Sequence, residues 1–196
     1  MAAAFGFNWL FVNYPQHGWF YKKCLHILAI SICAIVPFYQ LDKFWLLLII
    51  ALANILLLYL VGAKNLFISE TGQKSWGICL FPIPYALLLY NYYEEPWIIF
   101  ICMFLLAISD GMASIVGILY PYKTYELTGD KKSILGSFAF FISTYLILFF
   151  SLHYFYPEAF QKPWFYLWLM VISAVLAAVE ALGSKGWDNF FIPMVA

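Results

Sequence analysis

Six apolar runs separated by short polar stretches set the pattern of this chain. They lie at roughly 24–40, 44–63, 75–91, 97–119, 133–156 and 163–182. A helix needs about 20 apolar residues to cross the hydrocarbon of a bilayer, and a spanning backbone must satisfy its own hydrogen bonds. The runs therefore predict membrane-crossing helices. Residues 1–20 are aromatic-rich but broken by Asn13, Pro15 and Gly18, which predicts an interfacial segment with Trp9, Tyr14 and Trp19 at headgroup level. Asn189–Ala196 starts like a seventh run and stops after eight residues, too few to span. The expected fold is an all-α integral membrane protein: a bundle of about six transmembrane helices, an N-terminal interfacial segment and a short C-terminal segment, a truncated seventh helix. Residues 1–196 form one domain.

Composition strengthens this reading. Of 196 residues, 65% are hydrophobic and 10% charged, against about 45–50% and about 25% in soluble domains. The formal net charge is zero, so there is no basic footprint for nucleic acid. All ten cations are lysines. A bound phosphate would therefore meet ammonium groups, backbone N–H groups or a metal, not guanidinium forks. The four cysteines, Cys24, Cys33, Cys79 and Cys102, lie in apolar runs without metal-ligand spacing and read as small packing residues. Phe5–Val12 lacks the basic start and small-residue cleavage site of a secretory signal.

Lysine placement predicts topology. Lys22, Lys23, Lys64, Lys74, Lys123, Lys131, Lys132 and Lys185 fall on one side of a six-span arrangement, and Lys43 and Lys162 on the other. By the positive-inside rule the lysine-rich side is cytoplasmic. The membrane would be the plasma (inner) membrane of a prokaryote or the endoplasmic reticulum of a eukaryote.

The chemistry-bearing residues gather on that side. Asp110 lies ten residues before Tyr120, about 15 Å into the span. An acid at that depth is costly and should face a partner in the bundle interior. Gly111 beside it could break the helix and free the N–H groups of 111–120 for an anion. Gly111, Ala113 and Gly117 also suit close helix packing. Lys131-Lys132-Ser133 opens the fifth run, with Ser133 as N-cap and Gly136 allowing close approach. Lys22, Lys23 and His26 open the first run, where His26 could transfer a proton. Lys74-Ser75 repeats a Lys-Ser helix start. Asp110, Glu180 and Asp188 are three hard-oxygen groups that could hold Mg²⁺ with substrate phosphates.

At these residues the chain resembles the polyprenol kinase family, which includes dolichol kinase, phytol kinase and CTP-dependent diacylglycerol kinases. The matching blocks are Lys22–His26, Gly72–Gly77, Asp110–Ser114 through Gly117 with Lys131–Ser133 to Gly136, and Val179–Leu182 to Asp188-Asn189. Leu135 stands where dolichol kinases usually carry Glu. The resemblance implies phosphoryl transfer from CTP, or another nucleoside triphosphate, to a membrane lipid alcohol at the cytoplasmic face, with Mg²⁺. It implies catalytic roles for Asp110, Glu180, Lys132 and His26, and metal ligation by Asp110, Glu180 and Asp188. Nucleotide-binding residues would be Gly111, Ser114, Gly117, Lys131, Lys132, Ser133, Gly136, Lys22, Lys23, Lys74 and Ser75. Partners are then the lipid alcohol, the nucleotide and membrane lipids; a monomer or a homodimer would fit. A CTP-using lipid-phosphate cytidylyltransferase is the enzymatic alternative. A proton- or ion-coupled transporter is the alternative of another class.

Overall fold

A computed structural model describes residues 18–63 and 77–196. The expectations for the N-terminal interfacial segment, and for Lys64, Lys74 and Ser75, lie outside the described residues. The chain is almost wholly helical: α1 Gly18–Ile35, α2 Lys43–Ala63, α3 Gly77–Leu80, α4 Pro82–Tyr92, α5 Pro96–Phe104, α6 Gly111–Leu119, α7 Ile134–Phe155, α8 Trp164–Leu182 and α9 Asp188–Val195. A wide π-helical turn, Leu105–Asp110, joins α5 to α6. One element was not anticipated, a two-stranded hairpin of β1 Thr124–Glu126 and β2 Lys131–Ser133.

Among the described residues five helical stretches are long and apolar enough to cross a membrane: Trp19–Tyr39, Lys43–Leu60, Pro96–Leu119, Ile134–Phe155 and Trp164–Leu182. The expected sixth, at 75–91, is described only from Gly77, as the apolar stretch Gly77–Tyr92. Pro82 and Pro84 have no N–H to donate and interrupt the helix at Phe81. The first helix also starts earlier than the apolar pattern suggested, so Lys22 and Lys23 lie within its first two turns. Asp42 caps α2, its Oδ1 accepting from Phe44 N at 2.9 Å and Trp45 N at 3.2 Å.

The core surrounds the π turn. Met103, Leu105, Leu106 and Ala107 are fully buried, together with Ile30, Phe140, Leu169, Leu176 and Ile192 from four other helices. α7 lies between α6 and α8, and α1 packs against α5, the π turn and α6. The bundle has two unlike ends. One end is aromatic: Phe38 stacks on Phe155, and Trp97 on Phe155 and Tyr156. The start of α1, the α6–α7 hairpin, the α8–α9 loop and the start of α3 meet at the other end. The apolar stretch of α2 is not buried by the rest of the chain.

Short α9 docks inward. Ile192 and Pro193 are buried, and its N-terminus packs beside the end of α8. Asp188 is the first residue of this helix, not its cap; its Oδ1 accepts from Asn189 N at 3.0 Å.

Candidate functional site

Two lysine–carboxylate groups form the polar end of the bundle. The first joins α1 to the π turn. Lys23 Nζ donates to Asp110 Oδ2 at 2.8 Å. His26 Nε2 lies 3.3 Å from the same oxygen but outside hydrogen-bond geometry, which leaves that buried nitrogen without a partner among the described residues. Lys23 and His26 share a face of α1 because they are three residues apart. Only 6% of the Asp110 side chain is exposed. A carboxylate so deep must be paired, and Lys23 supplies the pairing.

The second group joins β2, α8 and α9. Lys132 Nζ donates to Glu180 Oε1 at 2.7 Å and to the Glu180 carbonyl, and lies 4.0 Å from Asp188 Oδ2. Glu180 stands in the last turn of α8, where the helix dipole disfavours a negative side chain and favours a cation. Lys132 answers both, taking the carboxylate and an end carbonyl at once. The other Glu180 oxygen, Oε2, accepts from Ser137 Oγ at 3.4 Å, and Ser137 Oγ lies 2.6 Å from Tyr125 OH.

The hairpin register explains this clamp. Tyr125 pairs with Lys132 and Glu126 with Lys131. Directly opposed residues share a face, and neighbours along a strand point to opposite faces. Lys132 therefore reaches Glu180 directly from this face, and Tyr125 reaches it through Ser137. Lys131 is exposed on the other face. The loop of the hairpin is tied to the α8–α9 loop: Thr128 Oγ1 donates to Leu182 O at 2.8 Å, and Lys185 N donates to Asp130 Oδ2 at 2.6 Å.

Ser133 is the expected N-cap of α7, its Oγ accepting from Gly136 N at 2.9 Å. The glycines make close helix contacts. A Cβ on Gly136 would fall 2.7 Å from Ala113 O and 3.2 Å from Gly117 Cα. Gly117 and Gly136 thus bring α6 and α7 into backbone contact. Gly111 makes the same kind of room for Ile27 of α1, since a Cβ there would lie 2.6 Å from Ile27 Cδ1. The helix does not break at Gly111, whose φ of −57° and ψ of −50° are helical. The irregularity falls one turn earlier, in the π turn that presents Asp110. The free helix N-terminus expected at 111–120 is therefore replaced by a wide turn.

Ser114 is half-buried on α6, and Leu135 is half-buried in the first turn of α7. Lys22 belongs to α1. Asp188 has the loosest tie of the three acids. Burial pushes its carboxyl above the ordinary 3.8, the nearby charge of Asp110 adds to this, and Lys132 and Lys23 oppose it. Asp110, Glu180 and Asp188 do not form a ready three-ligand metal set, and no such set occurs among the described residues. Two of the acids are held by lysines instead.

Sequence reasoning missed Tyr125 and Ser137. The signal was the mirrored pair Thr-Tyr-Glu and Lys-Lys-Ser across a turn containing Gly129, a glycine whose φ is +104°. No protein-family model, curated protein or solved structure matches the chain.

Proposed function

We propose that this chain is a lipid-alcohol kinase, transferring a phosphoryl group from CTP or another nucleoside triphosphate to the hydroxyl of a polyprenol, phytol-like alcohol, dolichol or diacylglycerol. One observation carries the reading. Four segments far apart in sequence deliver Lys23, Lys132, Asp110, Glu180 and Asp188 to a single end of a bundle of membrane-length helices. Phosphoryl transfer asks for little else than charge and positioning. Lysine asymmetry supports a cytoplasmic location for that end.

Mg²⁺ fits the charge balance. Three carboxylates face two ammonium groups, an excess of negative charge that a cation would balance. Asp110 and Glu180 would hold the ion together with the substrate phosphates. When bound, Mg²⁺ neutralises phosphate charge and aligns the displacement. Lys23 and Lys132, now on these carboxylates, would turn to the phosphate oxygens. Asp188, the least engaged acid, would accept the hydroxyl proton. The alcohol oxygen forms a bond to the terminal phosphorus as the bridging P–O bond breaks, and a nucleoside diphosphate leaves.

The transporter reading asks for polar groups along a path through both leaflets. Beside the buried Leu106, Leu105 and Met103 the interior holds the hydroxyls of Ser109, Thr144 and Ser173, but among the described residues its only buried carboxylates are Asp110 and Glu180, both at the one polar end, which speaks against a charged relay through both leaflets. The decisive experiment incubates purified protein with labelled CTP or ATP and a panel of farnesol, geranylgeraniol, phytol, dolichol and diacylglycerol. A lipid monophosphate together with a nucleoside diphosphate is expected. No lipid phosphate from any pair refutes the kinase, and release of pyrophosphate with a lipid-phosphate acceptor replaces it by cytidylyl transfer.

A further inference from the structure

One polar group stands in the middle of a membrane-length helix with nothing to bond. Asn54 follows Lys43, the first residue of α2, by about 16 Å along the axis. That is close to the midplane of a hydrocarbon layer about 30 Å thick. Asn54 Oδ1 is shut off from the surface and has no hydrogen-bond partner among the described residues. A carboxamide at that depth is costly unless another polar group meets it, and lipid tails carry none.

The surroundings of Asn54 are shaped for a helix. α2 packs on α3 and α4, and its outer side is bare: Ile49, Leu52 and Ile55 are each about three-fifths exposed. Between α2 and α4 runs an open groove of about 380 Å³, with Leu47, Ile50, Ala51 and Asn54 on one wall and Ala86 on the other. Alanines on both walls leave room for another backbone to come close. Leu47, Ile50, Asn54 and Leu57 recur at intervals of three and four residues and are all half-buried. That is the spacing of a helix-pairing seam, in which a single Asn fixes the register and the number of helices.

We propose that α2 is the interface of a homodimer, in which the second copy's α2 lies along this groove and the two Asn54 carboxamides hydrogen-bond to each other across the two-fold axis. Depth and chemistry select a second copy as the occupant. Copies inserted with the same topology stand at the same height in the bilayer, so the two-fold axis that relates them runs along its normal. A midplane residue near that axis meets itself. A carboxamide is both donor and acceptor, so it complements its own copy, which neither a carboxylate nor an ammonium group does. A half-turn of the side-chain amide exchanges Oδ1 and Nδ2, so either can face the groove. The inference is independent of the chemistry at the polar end.

Single-molecule photobleaching of singly labelled protein in phosphatidylcholine vesicles, at rising protein-to-lipid ratio, reads the dimer. Two-step bleaching should rise to saturation in the parent chain. Asn54→Leu should weaken association about tenfold, the loss of one interhelical hydrogen-bonded pair, and Asn54→Gln should retain most of it. Ala51→Trp fills the groove from an exposed position and should abolish association, whereas Leu167→Trp on the outer side of α8 should not. In a Cys24→Ser background, Ala51→Cys should cross-link between copies on oxidation with copper phenanthroline, and Ile49→Cys, on the opposite side of α2, should not. A parent chain that stays monomeric at every density overturns the dimer. Unchanged association in Asn54→Leu overturns the Asn54 pairing. Unchanged association in Ala51→Trp, or cross-linking at Ile49→Cys in place of Ala51→Cys, moves the interface off this face and overturns the assignment. A monomer that retains a lipid in native mass spectrometry, and loses it in Asn54→Leu, gives the groove to that lipid instead.

Discussion

Removing Asp110 separates structural from chemical demand. Its side chain is 6% exposed and its partner Lys23 is 27% exposed. Asp110→Leu leaves the ammonium group half-buried without a counter-charge. Breaking a buried pair costs about 3–5 kcal/mol, and the partial exposure of Lys23 puts this case near the lower end, about 3 kcal/mol. For a chain of this size each kcal/mol moves Tm by about 2–4 °C, so a drop of roughly 6–12 °C is expected by thermal unfolding in detergent. Adding Lys23→Met removes the orphaned charge and should recover most of the loss, because an apolar pair of similar volume replaces a buried ion pair at little cost. The double variant should remain inactive in labelled phosphoryl transfer, and Asp110→Asn, which keeps the shape, should be folded and inactive. Activity in Asp110→Asn would refute the assigned role. A double variant as unstable as Asp110→Leu would refute the pairing argument.

Tyr125→Phe removes a single hydroxyl from the Glu180 clamp, a neutral hydrogen bond of about 1 kcal/mol. A roughly fivefold fall in kcat/KM is expected with Tm little changed, and Ser137→Ala should fall further because Ser137 touches Glu180 itself; an unaltered Ser137→Ala would remove the clamp from the argument. Gly136→Ala forces a Cβ to 2.7 Å from Ala113 O, and overpacking of this kind costs about 1–3 kcal/mol, readable as a lower Tm that Gly129→Ala, with open space around it, should match only through backbone strain at φ +104°. Asp188 binds a proton more tightly folded than unfolded, because its carboxyl stands above 3.8. In chelator, stability should therefore fall as pH rises above about 4, and Asp188→Asn should flatten that slope; an identical slope in the variant would show that another group sets it.

How much of this was legible in the sequence depended on the range of the interaction. Apolar runs report membrane-length helices because burial in lipid acts on every residue of a run, and five stretches of the required length are there among the described residues. Ser133 was readable as a cap because a hydroxyl and the N–H three residues on form a purely local bond. The gathering of Lys23, Asp110, Lys132, Glu180 and Asp188 at one end followed from counting helices and assigning lysines to sides, and it agrees with the α3–α4 stretch, whose Gly77 packs against Gly186 and Asn189 at that end. Partner choice was not legible. Lys131 and Lys132 are adjacent in sequence and equal in chemistry, and only the three-residue strand that carries them sends one outward and the other to Glu180. Strands so short leave almost no period to detect. The glycines were legible only as an alternative: a residue without a Cβ admits a phosphate or a neighbouring helix equally well, and the sequence does not say which surface will arrive. Here Ile27 comes up to Gly111 and Gly117 comes up to Gly136. That close contact locks α6 to α7 and α1 to α6, and so fixes the two lysines and their carboxylates relative to one another. The glycine block is then a spacing device for the charged site, and its substitution should disturb Lys23–Asp110 and Lys132–Glu180 geometry together rather than remove a ligand from either.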